Sequence, residues 1–282
     1  MSWRRLKLGA AGVAFVGVLL GLFAHGRAHR PTAQEVLRAV NGAYEDLRPI
    51  PRRIDMRFRT RMKSEGQPET ITHGEARVYQ VDRRIRFETL PDSMKVESDG
   101  PAGPRVLAGG ELLWVHDGSI LRTRYTMQNA DPGAPPIVHE TLIDHTRVPE
   151  EFGSRYTDPM AEPELAAEIL AHPFTLTREP WNGTAMEVLR SEGPILFSDR
   201  SRVAMRLWVD PEDHLVRRVE SETTHRAPGA DTTQSIEMQA EYVYHLQVPI
   251  EDSAFELALG PQAKDMTEAL LEDARAKAPV KP

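Results

Sequence analysis

The sequence predicts a mainly β protein with a few helices, built as one strongly curved antiparallel sheet. Three observations point there. Ile54, Met56, Phe58, Thr60 and Met62 alternate strictly with Asp55, Arg57, Arg59, Arg61 and Lys63, the period of a strand with one apolar and one wet face. Two alternating runs, 202–209 and 215–222, flank Asp210-Pro211-Glu212-Asp213-His214, whose composition is that of a hairpin turn. Strand-like segments separated by turn residues recur along most of the chain, with little helical periodicity between them.

The N-terminus carries Arg4, Arg5 and Lys7, then an apolar run from Leu8 to Ala24, then small residues at Ala24, Gly26 and Ala28. This is the layout of a secretory signal peptide over 1–28. At 17 residues the apolar run also reaches the lower limit for spanning a bilayer, so an uncleaved N-terminal membrane anchor stands as the alternative. Both place the body of the protein outside the cytoplasm, free or held at the inner membrane. Residues 29–282 then form a single domain, with a helical insertion over 137–172 and a helical tail over 262–282.

Within that domain Thr32 and Glu35 are spaced as a capping box, and Val36, Leu37, Val40, Tyr44 and Leu47 follow at helical intervals until Pro49 and Pro51. The alternating strand at 54–62 comes next. Further strands are expected near 70–80, 83–89, 93–99, 111–116 and 119–127, with a tight turn at Asp117-Gly118. Pro135-Pro136 interrupts the pattern, and short helical pieces are expected at 141–145 and 162–172. Strands return near 174–179, 184–191, 202–209, 215–224 and 234–246, and an amphipathic helix is expected over 262–276. Asn182-Gly183-Thr184 has the form of a glycosylation sequon, but Asn-Gly reads more simply as a turn. Roughly ten antiparallel strands with so few helices make a curved sheet whose inner face needs cover; the first helix and the 137–172 segment are available for it.

Composition narrows the function. Cysteine is absent, so no disulfide staples the fold and no cysteine follows the apolar run to take a lipid. Residues 1–28 contain four basic residues and no acid, so the formal charge of −7 becomes −11 for the rest. That excludes nucleic acid as a partner and disfavours lying on an anionic membrane surface. No nucleophile elbow, phosphate loop or dinucleotide fingerprint occurs, so neither an enzyme nor a cofactor is expected. His139, Glu140, Asp144 and His145 lie close in sequence, but histidines six apart do not share a helix face, and no metal site is expected.

Several stretches, in chain order, resemble the periplasmic outer-membrane lipoprotein carrier-like (LolA/LolB-like) superfamily and its uncharacterised periplasmic relatives. EVLRAVNGAYEDLRPI is similar to the first helix and its exit. GGELLWVHDGSILRTRY is similar to a strand, a turn at Asp-Gly and a returning strand. WNGTAMEVLR resembles the strand before the hairpin, LWVDPEDHLVRRVE the hairpin itself, and VPIEDSAFELALGPQAKDM the closing stretch. Each motif is short; their collinearity over residues 33–266 carries the resemblance. It implies a half-barrel of about eleven strands with helices covering the concave face. It also implies a periplasmic carrier or chaperone for lipid or lipoprotein acyl chains, serving lipoprotein sorting to the outer membrane through inner- or outer-membrane partner proteins. The alternative is an envelope sensor or adaptor of the same fold that signals to a membrane partner. The long 137–172 segment and the arginine-rich strands depart from the family plan.

A site for acyl chains needs apolar, deformable walls, and methionine suits this. Met56, Met62, Met205 and Met238 fall on expected inward faces with Phe58, Val78, Phe87, Leu113, Leu207, Ile236 and Tyr242. Burying ten methylenes yields about 8 kcal/mol before ordering costs, or roughly micromolar binding. The same residues would equally form a dry core against the first helix. Arg217 is expected at the cavity mouth, either meeting a polar head or closing a rim ion pair. Arg57, Arg59 and Arg61 form a basic row that either docks a partner or simply solvates the strand and blocks edge pairing.

Overall fold

The computed structural model describes residues 31–100, 103–108, 110–127, 134–147, 167–198, 201–226, 233–269 and 271–272. The chain divides into two compact units, Met1–Thr32 and Ala33–Pro282. The signal peptide or anchor expected over 1–28 lies outside the described residues. Everything below belongs to the second unit.

It begins with α1 (Ala33–Leu47), whose stripe of Val36, Leu37, Val40 and Leu47 is buried. Backbone bonds from Arg48 N–H to Glu45 O (3.2 Å) and Ile50 N–H to Leu47 O (2.9 Å) tighten the last turn before Pro51. The chain then enters β1 (Arg52–Ser64), β2 (Thr70–Val81), β3 (Arg84–Thr89), β4 (Lys95–Gly100), β5 (Gly103–Ala108), β6 (Glu111–His116), β7 (Ile120–Met127) and β8 (Ile137–Asp144). After α2 (Ala167–Ala171) come β9 (Phe174–Trp181), β10 (Thr184–Ser191), β11 (Ile195–Ser198), β12 (Ser201–Val209), β13 (Val216–Arg226), β14 (Thr233–Leu246) and β15 (Lys264–Asp265).

All fifteen strands join one curved, unclosed sheet in the order β15-β8-β7-β6-β3-β2-β1-β14-β13-β12-β10-β9, with β4 and β5 branching from β2 and β11 from β12. Two antiparallel meanders meet at its centre. There β1 pairs with β14 without a break from Arg52 opposite Leu246 to Ser64 opposite Gln234. The turns follow their residues: Asn182 (φ 49°) and Gly183 (φ 83°) both take the left-handed region that a two-residue turn between β9 and β10 demands. In the β12–β13 turn Asp210 and Asp213 each accept a backbone N–H two residues on, from Glu212 (3.0 Å) and Leu215 (2.9 Å).

The mainly β, curved architecture agrees with the sequence reading; two local expectations do not. Residues 137–144, expected at the head of a helical insertion, form β8, which pairs with β7 along its whole length. A short apolar run such as Thr141-Leu142-Ile143 has too few residues to set a period, and a free edge on β7 decides its conformation. Of the helix expected over 162–172, Ala167–Ala171 is helical as expected, and residues 162–166 lie outside the described residues. The helix expected from 262 is preceded by the two-residue β15, which pairs parallel with Thr141 and Leu142, and helical residues start at Thr267. Four short strands beyond those expected (β5, β8, β11 and β15) raise the count above eleven.

The inner face of the sheet carries two cores. In the first, Val36, Leu37 and Val40 of α1 and Ile169 of α2 pack on Leu189, Leu207, Val209 and Val216. Each such apolar side chain contributes roughly 1.5–3 kcal/mol by burial. Among the described residues the second is made of strand residues, from β13, β14, β1, β2, β3 and β6, six neighbours in the sheet. On the opposite face a smaller group of Met186, Val188 and Trp208 is capped by Arg206 and Arg218, whose guanidinium carbons stand 4.4 and 5.0 Å from the Trp208 ring.

Candidate functional site: an apolar sheet face with a polar end

Directly opposite residues of antiparallel neighbours share a face, so register places each side chain. Met56 stands opposite Tyr242 and Ala76, Phe58 opposite Ala240 and Gly74, Met62 opposite Ile236 and Thr70, and Thr60 opposite Met238. Val78 stands opposite Phe87, and Phe87 opposite Trp114, their rings stacked at 5.7 Å and 9°. Through Val219 the same face continues to Leu207, and through Ser221 to Met205. Every expected wall residue except Leu113 thus lies on one face, but only Met56, Phe58, Val78, Phe87 and Tyr242 pack together in the second core.

Leu113 is a correction. It lies opposite Glu88 and Arg124, on the charged face; Leu112 and Trp114 point inward instead. The run Leu112-Leu113-Trp114-Val115 is apolar throughout, so it carries no alternation from which to read its phase. Leu207 and Met205 also differ from their expected use, because they pack in the core that α1 covers.

Burial changes along β1. Ile54 (8%) and Met56 (4%) are buried, Phe58 and Thr60 are half-buried, and Met62 is 38% exposed. Ile236 and Met238 beside Met62 are half-buried as well. The methionine-rich end is therefore the more exposed end of the face.

The opposite end is polar. Tyr44 of α1 and Tyr244 of β14 have their hydroxyl oxygens 2.8 Å apart, and the Tyr244 hydroxyl donates to Val216 O at 3.1 Å. Desolvation raises the Tyr44 hydroxyl above its usual value and the Tyr244 hydroxyl well above it, so both stay neutral. Arg217 sits where the β12–β13 register slips between Trp208 and Val209. Its guanidinium carbon lies 5.4 Å from the Tyr244 ring; the group bonds Asp210 (3.2 Å) and also Asp213. Of the two roles read for Arg217, the ion pair is the one formed here. At this end the sequence reading missed Arg52, Tyr44 and Tyr244. A usable signal existed for Arg52: it has the same parity as Ile54 and Met56, so the strand period puts it on the apolar face.

The outer face is balanced by ion pairs. Arg57 meets Glu75 at 3.0 Å, and Arg61 meets Glu69 at 2.6 Å and Glu237 at 3.6 Å. Asp55 is shared by Arg53, Arg77 and His245. Burial alone would raise the Asp55 carboxyl, but these three partners together hold it below its usual value. Such exposed pairs add little stability each; here they neutralise much of the basic row within the sheet. Glu140 is likewise engaged, by Arg124 at 2.7 Å and the Gly260 N–H at 2.7 Å. Among the described residues no group of three His, Asp or Glu is placed to hold a metal, and no helix is long and apolar enough to cross a membrane.

Taken together, fold and face define a class: a curved antiparallel sheet with one charge-balanced side and one apolar side partly roofed by a helix. No family model matches the chain, nor does any curated protein. Among solved structures it is similar to a LolA superfamily protein from Nitrosomonas europaea, at 13% identity, covering 81% of this chain and 99% of that one, with a TM-score of 0.23. That is the superfamily its motifs resemble. Strand order and register define the fold.

Proposed function

We propose that the protein is an envelope carrier or chaperone that takes acyl chains of lipids or lipoproteins onto the apolar face of its sheet. The observation that supports this is the composition of the second core: among the described residues, six adjacent strands supply one continuous apolar surface, which α1 touches at its polar end through Tyr44 on Tyr244. An ordinary α/β core buries such a face under a helix, as the first core does here. At the exposed end Met62 and Met238 offer flexible, polarizable side chains that can repack around a guest. The buried floor of Met56, Val78, Phe87 and Tyr242 must shift to admit a chain, which lowers net affinity and suits a carrier that also releases its cargo.

Native mass spectrometry of the gently purified chain, with titration of a fluorescent fatty acid, tests the reading. A bound acyl species and saturable uptake, weakened several-fold in a Met62→Asp/Met238→Asp variant, are expected. A clean unliganded mass with no uptake of the probe would overturn it.

A further inference from the structure

Arg52 opens β1 on the apolar face, opposite Gln80 and Leu246. At 1% exposure it is the only buried arginine among the described residues. Its Nη1 donates to Leu47 O and, at 3.4 Å, to Ile50 O, where α1 ends. Its Nε and Nη2 are buried without any hydrogen-bond partner. Those two nitrogens form one edge of the guanidinium, with parallel N–H bonds, the fork that grips a two-oxygen anion.

The contrast with other arginines is plain. Arg53, Arg57, Arg61, Arg77, Arg124 and Arg218 each have a carboxylate within 4 Å, although all are more exposed. Arg52 has none among the described residues. Burial pushes the Arg52 guanidinium below its usual value, and the Tyr44 and Tyr244 hydroxyls, which act against that, are themselves kept neutral by burial. Buried cations are ordinarily paired, because an unpaired one loses its hydration for nothing. From Arg52 the same face runs past Ile54 and Met56 to Phe58, about 20 Å of apolar strand at the usual rise per residue.

We infer that Arg52 is the headgroup receptor of this face: its free Nε–Nη2 edge takes the two-oxygen anionic head of a single-chain amphiphile whose tail lies along Ile54, Met56 and Phe58. A fatty-acid carboxylate and an alkyl phosphate both present that chemistry. The inference rests on the acyl-binding reading of the face and adds the head to the tail.

The test compares hexadecanoic acid, hexadecyl phosphate and methyl hexadecanoate on the exported form of the chain, by displacement of a fluorescent probe. Wild type is expected to bind at least one of the anions about tenfold or more tighter than the ester, and the tighter of the two identifies the head. Arg52→Gln is expected to lose that preference and keep the ester affinity. Arg52→Lys, which keeps the charge but not the fork, should lose most of it. Equal binding of anions and ester by wild type would overturn the inference while leaving acyl binding standing; that arm needs no variant, so a poorly folding Arg52→Gln does not blunt it. A preference undiminished in Arg52→Gln would also overturn it. Failure of all three to bind would sink the acyl-binding reading and this inference with it.

Discussion

Phe58 lies across the bare backbone of Gly74. The two are direct partners between β1 and β2, and a Cβ at position 74 would stand 2.6 Å from Phe58 Cζ. A glycine weakens a strand by itself, but here it leaves the space that an aromatic ring from the neighbouring strand fills. Gly74→Ala must push that ring off its seat. We expect a loss of about 1–3 kcal/mol in urea unfolding, the usual penalty of overpacking. In a Phe58→Leu background the same change should cost much less. Equal costs in the two backgrounds would show that the ring and the glycine are not coupled.

Gly110 offers the contrasting case. A Cβ there would stand 2.0 Å from Thr126 O, a backbone atom of β7. No rotamer change relieves such a contact, so β6 and β7 would have to separate locally. Gly110→Ala is expected to cost about 3 kcal/mol or more, at the severe end for single substitutions. Trimming the Tyr125 or Thr126 side chain should not rescue it, whereas trimming Phe58 should rescue Gly74→Ala. Equilibrium unfolding of these variants separates the two kinds of clash.

How much of this was readable in the chain depended on whether a segment carried a phase. Residues 54–63 of β1 alternate strictly, so their faces are legible, and α1 is legible from its helical stripe, which is buried. Leu113 was misplaced because its neighbours are all apolar, and a strand with no polar partner positions has no legible face. β8 was missed because only its pairing with β7 makes it a strand. The meeting of β1 with β14, some 180 residues apart in sequence, leaves no local trace at all. Arg52 was legible by parity, yet an arginine at the start of a strand reads by default as surface.

Arg217 and Arg52 make opposite predictions although both lie at the polar end of the face. Arg217 is already saturated: its guanidinium bonds Asp210 and Asp213, closing the β12–β13 turn. Arg217→Met therefore leaves two carboxylates with only their backbone N–H bonds in the turn and should lower stability by about 1.5 kcal/mol, the low end for hydrogen bonds to charged groups. Hydrogen exchange should quicken at the His214 amide, which bonds Asp210 O at 2.9 Å in the same turn. The preference for anionic over esterified amphiphiles should persist in this variant. A lost preference with unchanged stability would reassign the headgroup role to Arg217.

The tyrosine pair fixes the alkaline limit of the fold. Desolvation raises both hydroxyls above the ordinary 10.0, Tyr244 the more strongly. The folded chain therefore holds these protons more tightly than the unfolded chain does. Their contribution to stability is complete below about pH 10 and is lost as pH climbs from there toward the higher folded values, because the unfolded chain ionises first. We expect tyrosinate absorbance from this pair to rise only together with loss of near-UV circular dichroism, as one cooperative alkaline transition. Tyr244→Phe removes the more strongly shifted group, so its stability should fall less steeply above pH 10. At neutral pH it should be weaker by about 1 kcal/mol for the lost bond to Val216 O. Smooth ionisation of every tyrosine near pH 10 with the circular dichroism intact would contradict the buried hydroxyl pair.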